Sequence, residues 1–162
     1  MKRLFVLRHA KSDWSHASLT DFERPLNRRG TESAVLIGAE MKARNFKPEY
    51  ILSSPAARAK QTVNLVTKAG ELEAPINLYS GIYEASTNTL FNIVSNFDDN
   101  FASALIVGHN PGFEGLVEAF TDGYERMPTA ALAVIDFNLD SWRLVGRATG
   151  VLYEIIRPRE IL

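Results

Sequence analysis

Two of the three histidines in this 162-residue chain stand in the same local setting. Residues 4–9 read Leu-Phe-Val-Leu-Arg8-His9, and residues 104–109 read Ala-Leu-Ile-Val-Gly-His109. Each is an apolar run of strand length that stops on an imidazole. Histidine attacks phosphorus when one ring nitrogen is unprotonated and the other is tied down by a hydrogen bond. Arg8, beside the first imidazole, carries a planar fork of donors that matches phosphoryl oxygens two at a time. A phosphomonoester bears nearly two negative charges, so its site must neutralise charge, grip oxygens and offer an in-line nucleophile. Two more places supply candidate parts. Arg58 lies in Ser54-Pro-Ala-Ala-Arg58-Ala-Lys-Gln-Thr62, near the start of a helix whose dipole and free amides favour an anion. Glu84 lies in Gly81-Ile-Tyr-Glu84-Ala-Ser86, just past a short apolar run.

Strands and helices alternate along most of the chain, which predicts an α/β fold: a three-layer sandwich with a mostly parallel central sheet and helices on both faces. The first strand spans about Lys2 to Arg8. A polar loop over 10–27 follows, and Asn27 is suited to cap a helix that runs to about Arg44. A second strand covers about Tyr50 to Ser53. Ser54-Pro55 reads as N-cap and first helical residue of a helix to about Lys68, with Gly70 at its C-terminal cap. Ile76 to Tyr79 is a short third strand, Thr87 to Asn96 a helix, and Ala102 to Val107 a fourth strand. Asn110-Pro111-Gly112 turns the chain into a helix over Phe113 to Phe120. In the last third, Thr129 to Phe137, Trp142 to Ala148 and Val151 to Arg157 read as strands. The turn after Phe137 is too short for a crossover, so an antiparallel edge strand is expected there. Arg8-His9, Arg58, Glu84 and His109 all follow carboxyl ends of predicted parallel strands. In a doubly wound sheet those ends share one edge, where ligands bind.

The bulk composition narrows the function. Apolar residues make up 46% of the chain, enough for a core, and no linker or repeat divides residues 1–162, so a single domain is expected. The net charge of -1 gives no global attraction to nucleic acid or acidic membranes, so neither is expected as a partner. The absence of cysteine removes thiolate catalysis, disulfides and cysteine metal sites. No stretch reaches the length of a membrane span, and a cytoplasmic protein is the default reading.

The chain resembles the histidine phosphatase superfamily, also called phosphoglycerate-mutase-like, and within it the SixA-like phosphohistidine phosphatase branch. The resemblance rests on Arg8-His9-Ala10, on the Ser54 to Thr62 segment, on Gly108-His109-Asn110, on Leu-Arg-His-Ala-Lys-Ser at 7–12 and on Arg-Pro-Leu-Asn-Arg-Arg-Gly at 24–30. Ala10 stands where glycine is commoner. The resemblance implies a phosphatase in which His9 attacks phosphorus and forms a phosphohistidine intermediate. It implies that Arg8, Arg58 and His109 hold the phosphoryl oxygens, His109 as a cation, and that Glu84 protonates the leaving group. It implies no metal and no organic cofactor. Larger members insert a lid over the pocket, and this chain has little room for one. An open pocket suits a phosphorylated protein, a histidine-phosphotransfer domain among the candidates, better than a small phosphate ester.

Other residues have plainer readings. Lys11 either tunes the pocket or faces water, and Trp14 either orders the loop with Asp13 or lines the pocket mouth. Arg24 braces the loop through a salt bridge, His16 is solvated, Asn110 caps its turn, and Phe113 and Phe120 are core. Three alternatives to the protein phosphatase remain. One is a mutase or small-metabolite phosphatase of the same fold, and another is a phosphate-binding module without catalysis. A metal hydrolase is the third, disfavoured because His-x-His and His-Glu-x-x-His spacings are missing.

Overall fold

The order of apolar side chains along β1 (Lys2–Arg8) decides the layering of the molecule. Leu4 and Val6 point to one face and Phe5 and Leu7 to the other, and all four are buried, so both faces must be covered. The computed structural model describes residues 1–161. It contains a six-stranded sheet in the order β3-β2-β4-β1-β5-β6. The remaining strands are β2 (Tyr50–Ser53), β3 (Ile76–Leu78), β4 (Ser103–Gly108), β5 (Leu132–Phe137) and β6 (Gly150–Ile156). β1 pairs in parallel with β4, β4 with β2, and β2 with β3. β5 lies antiparallel to β1, and β6 antiparallel to β5, so the change of direction falls at the β5-β6 side of the sheet.

Helices α1 (Arg28–Ala43) and α2 (Ala57–Gly70) cover the face of Phe5 and Leu7, through Ile37, Met41, Val63 and Val66. Helices α3 (Thr87–Ser95) and α4 (Gly112–Thr121) cover the face of Leu4 and Val6, through Leu90, Val94, Phe113 and Phe120. The chain is therefore an α/β three-layer sandwich, mostly parallel, as the alternation of elements predicts. Among the described residues no helix is long and apolar enough to cross a membrane.

Three local expectations change. Residues 142–148 do not form a strand: Trp142–Leu144 is a 3-10 turn capped by Ser141. Trp142 and Leu144 imitate strand patterning, but Trp142 is a buried plug whose indole N–H donates to the Phe101 carbonyl at 2.9 Å. Ser54 does not cap α2, which starts at Ala57 with no side-chain cap. Gly70 is the last residue of α2 rather than its cap, and Glu71 takes the left-handed conformation at φ 52°. Gly70 and Gly38 instead mark the close approach of α2 to α1, where a Cβ on Gly38 would stand 2.7 Å from the Val66 carbonyl.

β1 and β4 are the central pair, with Arg8 opposite Gly108. The chain leaves β1 toward β2 on one side and leaves β4 toward β5 on the other. His9 and His109 thus follow the two strands at the point where the connections diverge, which is where a doubly wound sheet opens a crevice.

Candidate active site

The backbone N–H of His9 donates to the Gly108 carbonyl at 2.9 Å, so the β1-β4 ladder continues one residue past the strand and holds the two histidines side by side. Their ring centroids are 5.2 Å apart with planes tilted by 54°. His9 Nδ1 lies 2.7 Å from the carbonyl oxygen of Ala10. A carbonyl only accepts, so Nδ1 carries the ring proton and Nε2 is bare. That bare nitrogen accepts the Nε–H of Arg58 at 3.3 Å. Thr62 fixes the carbonyl that sets this tautomer. Its hydroxyl accepts the Ala10 N–H at 2.9 Å and donates to the Arg58 carbonyl at 2.7 Å.

Arg58 is the second residue of α2 and is buried. Asp21, from the loop after β1, grips its far edge: Nη1 donates to the Asp21 carbonyl at 2.7 Å and Nη2 to Asp21 Oδ2 at 3.0 Å. The edge carrying Nε is thereby turned toward His9. Asp21 Oδ2 also accepts the Tyr83 hydroxyl at 2.6 Å, and Oδ1 pairs with Arg24 at 3.0 Å. The Tyr83 hydrogen bond first, then Arg24 and Arg58, hold the Asp21 carboxyl well below the usual carboxylate range. Desolvation and the same Asp21 contact push the Tyr83 phenol up to about 12.

His109 Nε2 pairs with the Ser54 hydroxyl at 2.8 Å. That hydroxyl accepts the Ala56 N–H at 3.2 Å and has its own proton to give; when it gives it to Nε2, the His109 proton sits on Nδ1. Nδ1 of His109 is buried and has no protein partner among the described residues; the same holds for Nε of Arg8. Buried donors are nearly always paired in native proteins, so two orphans at the ends of adjacent strands mark where ligand oxygens belong. Arg8 is held in place by donating Nη1 to the Met127 carbonyl at 3.1 Å, and burial lowers its pKa.

Desolvation is the main force on both imidazoles. It brings His9 down to about 3, with the charges of His109, Arg58 and Arg8 acting in the same direction and the Ala10 carbonyl against them. It brings His109 down to about 4, helped by Arg58 and opposed by Asp21. Without a bound anion, burial beside arginines therefore disfavours a charge on His109, so the cationic form implied by the resemblance needs the phosphoryl group itself to be present. A neutral ring with its proton on Nδ1 still donates to an oxyanion.

This has a consequence for stability. In the unfolded chain both histidines take up protons near pH 6.5, whereas in the folded chain they resist until about pH 4 and about pH 3. Between those limits the unfolded state binds more protons, so stability falls as pH drops below 6.5, by up to about 1.4 kcal/mol per pH unit for each histidine. Urea midpoints measured from pH 7.5 down to 4.5 should decline steadily. Saturating phosphate should flatten the decline, because a dianion favours the protonated rings. A flat profile without phosphate would show that the rings are solvated.

The histidines open into a cleft of about 630 Å³. Arg8, His9, Arg58 and His109 all line it. Lys11 and Trp14 line it as well, both exposed, with the Arg24 guanidinium 3.5 Å from the centre of the Trp14 ring. Arg24 also donates to the Ser12 hydroxyl, so it braces the loop and borders the cleft together. Gly30 permits this packing, since a Cβ there would overlap the Lys11 carbonyl. Glu84 does not border this cleft directly, but its side chain meets Tyr83. It is exposed, sits in the left-handed conformation at φ 56°, and neighbours Tyr83, whose ring meets the edge of His109 at 5.4 Å. His16 pairs with Asp13 at 3.4 Å on the surface, and Asn110 accepts the Glu114 N–H at 3.2 Å as a turn cap.

Sequence reading missed four contributors: Ser54, Thr62, Asp21 and Tyr83. The first two were visible as fixed members of the Ser-Pro-x-x-Arg-Ala-x-x-Thr segment, without a role. Asp21 had no local signal, because Arg58 lies 37 residues on and Tyr83 lies 62 residues on.

Comparison with known proteins places the chain in a family. The model of the histidine phosphatase superfamily (branch 1) matches residues 4–142. An uncharacterised protein of Mycobacterium tuberculosis is 31% identical over 140 residues, covering 80% of this chain and 85% of its own. An uncharacterised chloroplastic protein of Arabidopsis thaliana is 27% identical over 150 residues, covering 87% of this chain and 69% of its own. A crystal structure from Agrobacterium tumefaciens, provisionally named phosphohistidine phosphatase SixA, superposes with a TM-score of 0.84 at 29% identity, covering 97% of this chain and 98% of that one. A structure of the protein histidine phosphatase SixA with tungstate superposes with a TM-score of 0.83 at 21% identity, covering 99% of each chain.

Proposed function

The chain belongs to the histidine phosphatase superfamily and is an enzyme of that type, and from that premise we propose that it hydrolyses phosphorylated histidine on a protein, with His9 as the covalent carrier. The reading is supported by the name given to the structural relative from Agrobacterium tumefaciens. It rests above all on how the carboxyl groups near the cleft are committed. Among the described lining residues the one carboxylate is Glu32, which faces Arg28 at 3.4 Å on the surface. Asp21 is held deprotonated by Tyr83, Arg24 and Arg58. Glu84 does not border the cleft directly. An alkoxide needs a proton as it leaves, whereas the imidazole of a phosphohistidine departs as a neutral ring once its distal nitrogen is protonated. A site without a poised acid therefore favours a P–N bond over a P–O bond.

The reaction then runs in two displacements. The phosphoryl group enters with its oxygens on the free donors of Arg8, Arg58 and His109. Arg58 Nε–H turns from His9 to a phosphoryl oxygen, the released Nε2 lone pair attacks phosphorus, the P–N bond of the substrate breaks, and its electron pair stays on the substrate imidazole, whose distal nitrogen already carries a proton. His9 becomes a phosphoimidazolium whose positive charge is spread toward Nδ1, where the Ala10 carbonyl accepts the proton-bearing N–H. Water then attacks phosphorus from the side the leaving group vacated. The P–Nε2 bond returns its pair to His9, and the proton of the attacking water leaves with phosphate and solvent.

A substrate panel tests the reading. A phosphohistidine peptide should be hydrolysed far faster than a phosphoserine peptide or an alkyl phosphate such as a sugar phosphate. Glu84→Gln should leave the phosphohistidine rate within about threefold, whereas loss of a working general acid costs about 100-fold or more. Faster turnover of the sugar phosphate, together with a large loss in Glu84→Gln, would reassign the protein to small-molecule esters.

A further inference from the structure

The cleft extends well past the phosphoryl-binding donors. It continues as a trough between the start of α1, the segment around Arg126–Thr129 and the final 3-10 turn at Pro158–Glu160. Its floor is largely apolar or neutral, with Leu36, Pro128, Thr129 and Pro158. Its walls carry four exposed cations, Lys11, Arg29, Arg126 and Arg159, against a single carboxylate, Glu32, which is already paired with Arg28 at 3.4 Å. The net charge of the whole chain is -1, so this concentration of one sign is local and is balanced elsewhere on the surface. Little inside the molecule satisfies these cations. Among the described residues Lys11, Arg29 and Arg159 take part in no ion pair, and Arg126 reaches Glu160 only at 3.7 Å. Nor does helix stability account for Arg29. It stands in the first turn of α1, which holds no acidic residue, and there the helix dipole opposes a cation.

We propose that this trough is a docking surface for an acidic protein face that surrounds the phosphorylated residue, and that Arg29 and Arg159 select such substrates. The inference deepens the phosphohistidine reading and rests on it. A small phosphate ester would occupy the donors around His9 and leave the outer cations unmatched, whereas carboxylates flanking a phosphorylated side chain would meet them. Exposed charges act mainly on encounter and orientation, and they are screened by salt. The effect should therefore appear in kcat/KM and weaken as ionic strength rises.

The test uses two phosphohistidine peptides that differ only in flanking residues, Asp and Glu in one, Asn and Gln in the other, with phosphoramidate as a small donor. The wild-type protein should prefer the acidic peptide by about tenfold in kcat/KM at low salt, and the preference should shrink toward physiological salt. The double variant Arg29→Glu/Arg159→Glu should lose or invert that preference and keep phosphoramidate turnover within about twofold. Arg29→Gln/Arg159→Gln should fall between, which separates charge from misfolding. Equal turnover of both peptides by the wild type, or an acidic preference that survives charge reversal, would overturn the docking surface while leaving the phosphohistidine reading intact. Turnover of phosphoramidate with neither peptide hydrolysed would instead overturn the protein-substrate reading, and the docking surface with it.

Discussion

Replacing His9 with alanine is expected to reduce hydrolysis of phosphohistidine and phosphoramidate to background, a loss of about 10⁴-fold or more. The reason is geometric. His9 is the imidazole whose free nitrogen faces a guanidinium at the end of the central strand, and its tautomer is fixed by the Ala10 carbonyl through Thr62. Among the described residues no other one lining the cleft offers a bare nitrogen in that position. His109 has one nitrogen on Ser54 and its other nitrogen, carrying the proton, free to donate. The variant should still fold, because the His9 side chain holds only its neighbour's carbonyl and one edge of Arg58. The lost contact leaves Arg58 Nε facing the cleft, where water can meet it. After brief exposure to labelled phosphoramidate, the wild-type protein should carry an acid-labile, base-stable label, and His9→Ala should carry none. Near-normal turnover or labelling in that variant would remove the covalent route through His9. A label lost instead in His109→Ala would exchange the roles of the two rings.

The second large effect is on Arg58. Arg58→Ala should weaken inorganic phosphate binding by about 100-fold, since two charge-assisted hydrogen bonds at about 1.5 kcal/mol each disappear. Arg58→Lys should recover little, because a point charge cannot hold Asp21 with one edge of a fork and an oxyanion with the other. The partner left behind does not become a buried orphan: Asp21 keeps Tyr83 and Arg24 and remains part-exposed. A second readout separates binding from packing. The Arg58 charge lowers the proton affinity of both histidines, so its removal should move the acid limb of the pH-rate profile upward. Unchanged phosphate affinity would take Arg58 out of the site.

Much of the frame was legible before any coordinates. The unbroken apolar runs Leu4 to Leu7 and Ala104 to Val107, and the helical spacing of Ile37 and Met41, are local properties that survive into the fold. Asn27 caps α1 as its residue type predicts, its side chain accepting the Gly30 N–H at 2.8 Å. Errors fell where a local pattern had two physical meanings. Ser54-Pro55 carries the look of a helix start, yet the hydroxyl serves His109, which lies 55 residues away. Trp142 and Leu144 flank Arg143 as in a strand, yet a large aromatic is worth more as a plug under Phe97 and Phe137 than on a ladder.

By itself the sequence determined that Arg8, His9, Arg58 and His109 sit at the ends or starts of elements whose common edge is one crevice. That follows because strand-helix alternation and handed crossovers leave few topologies open. Only the tertiary structure decided the environment inside the crevice: that burial lowers the proton affinity of His109, that Asp21 orients Arg58, that Glu84 is exposed beside Tyr83 and that cations border the outer trough. Proton affinity depends on desolvation by every neighbour at once, and orientation depends on partners tens of residues apart, so neither is written in any short stretch of the chain.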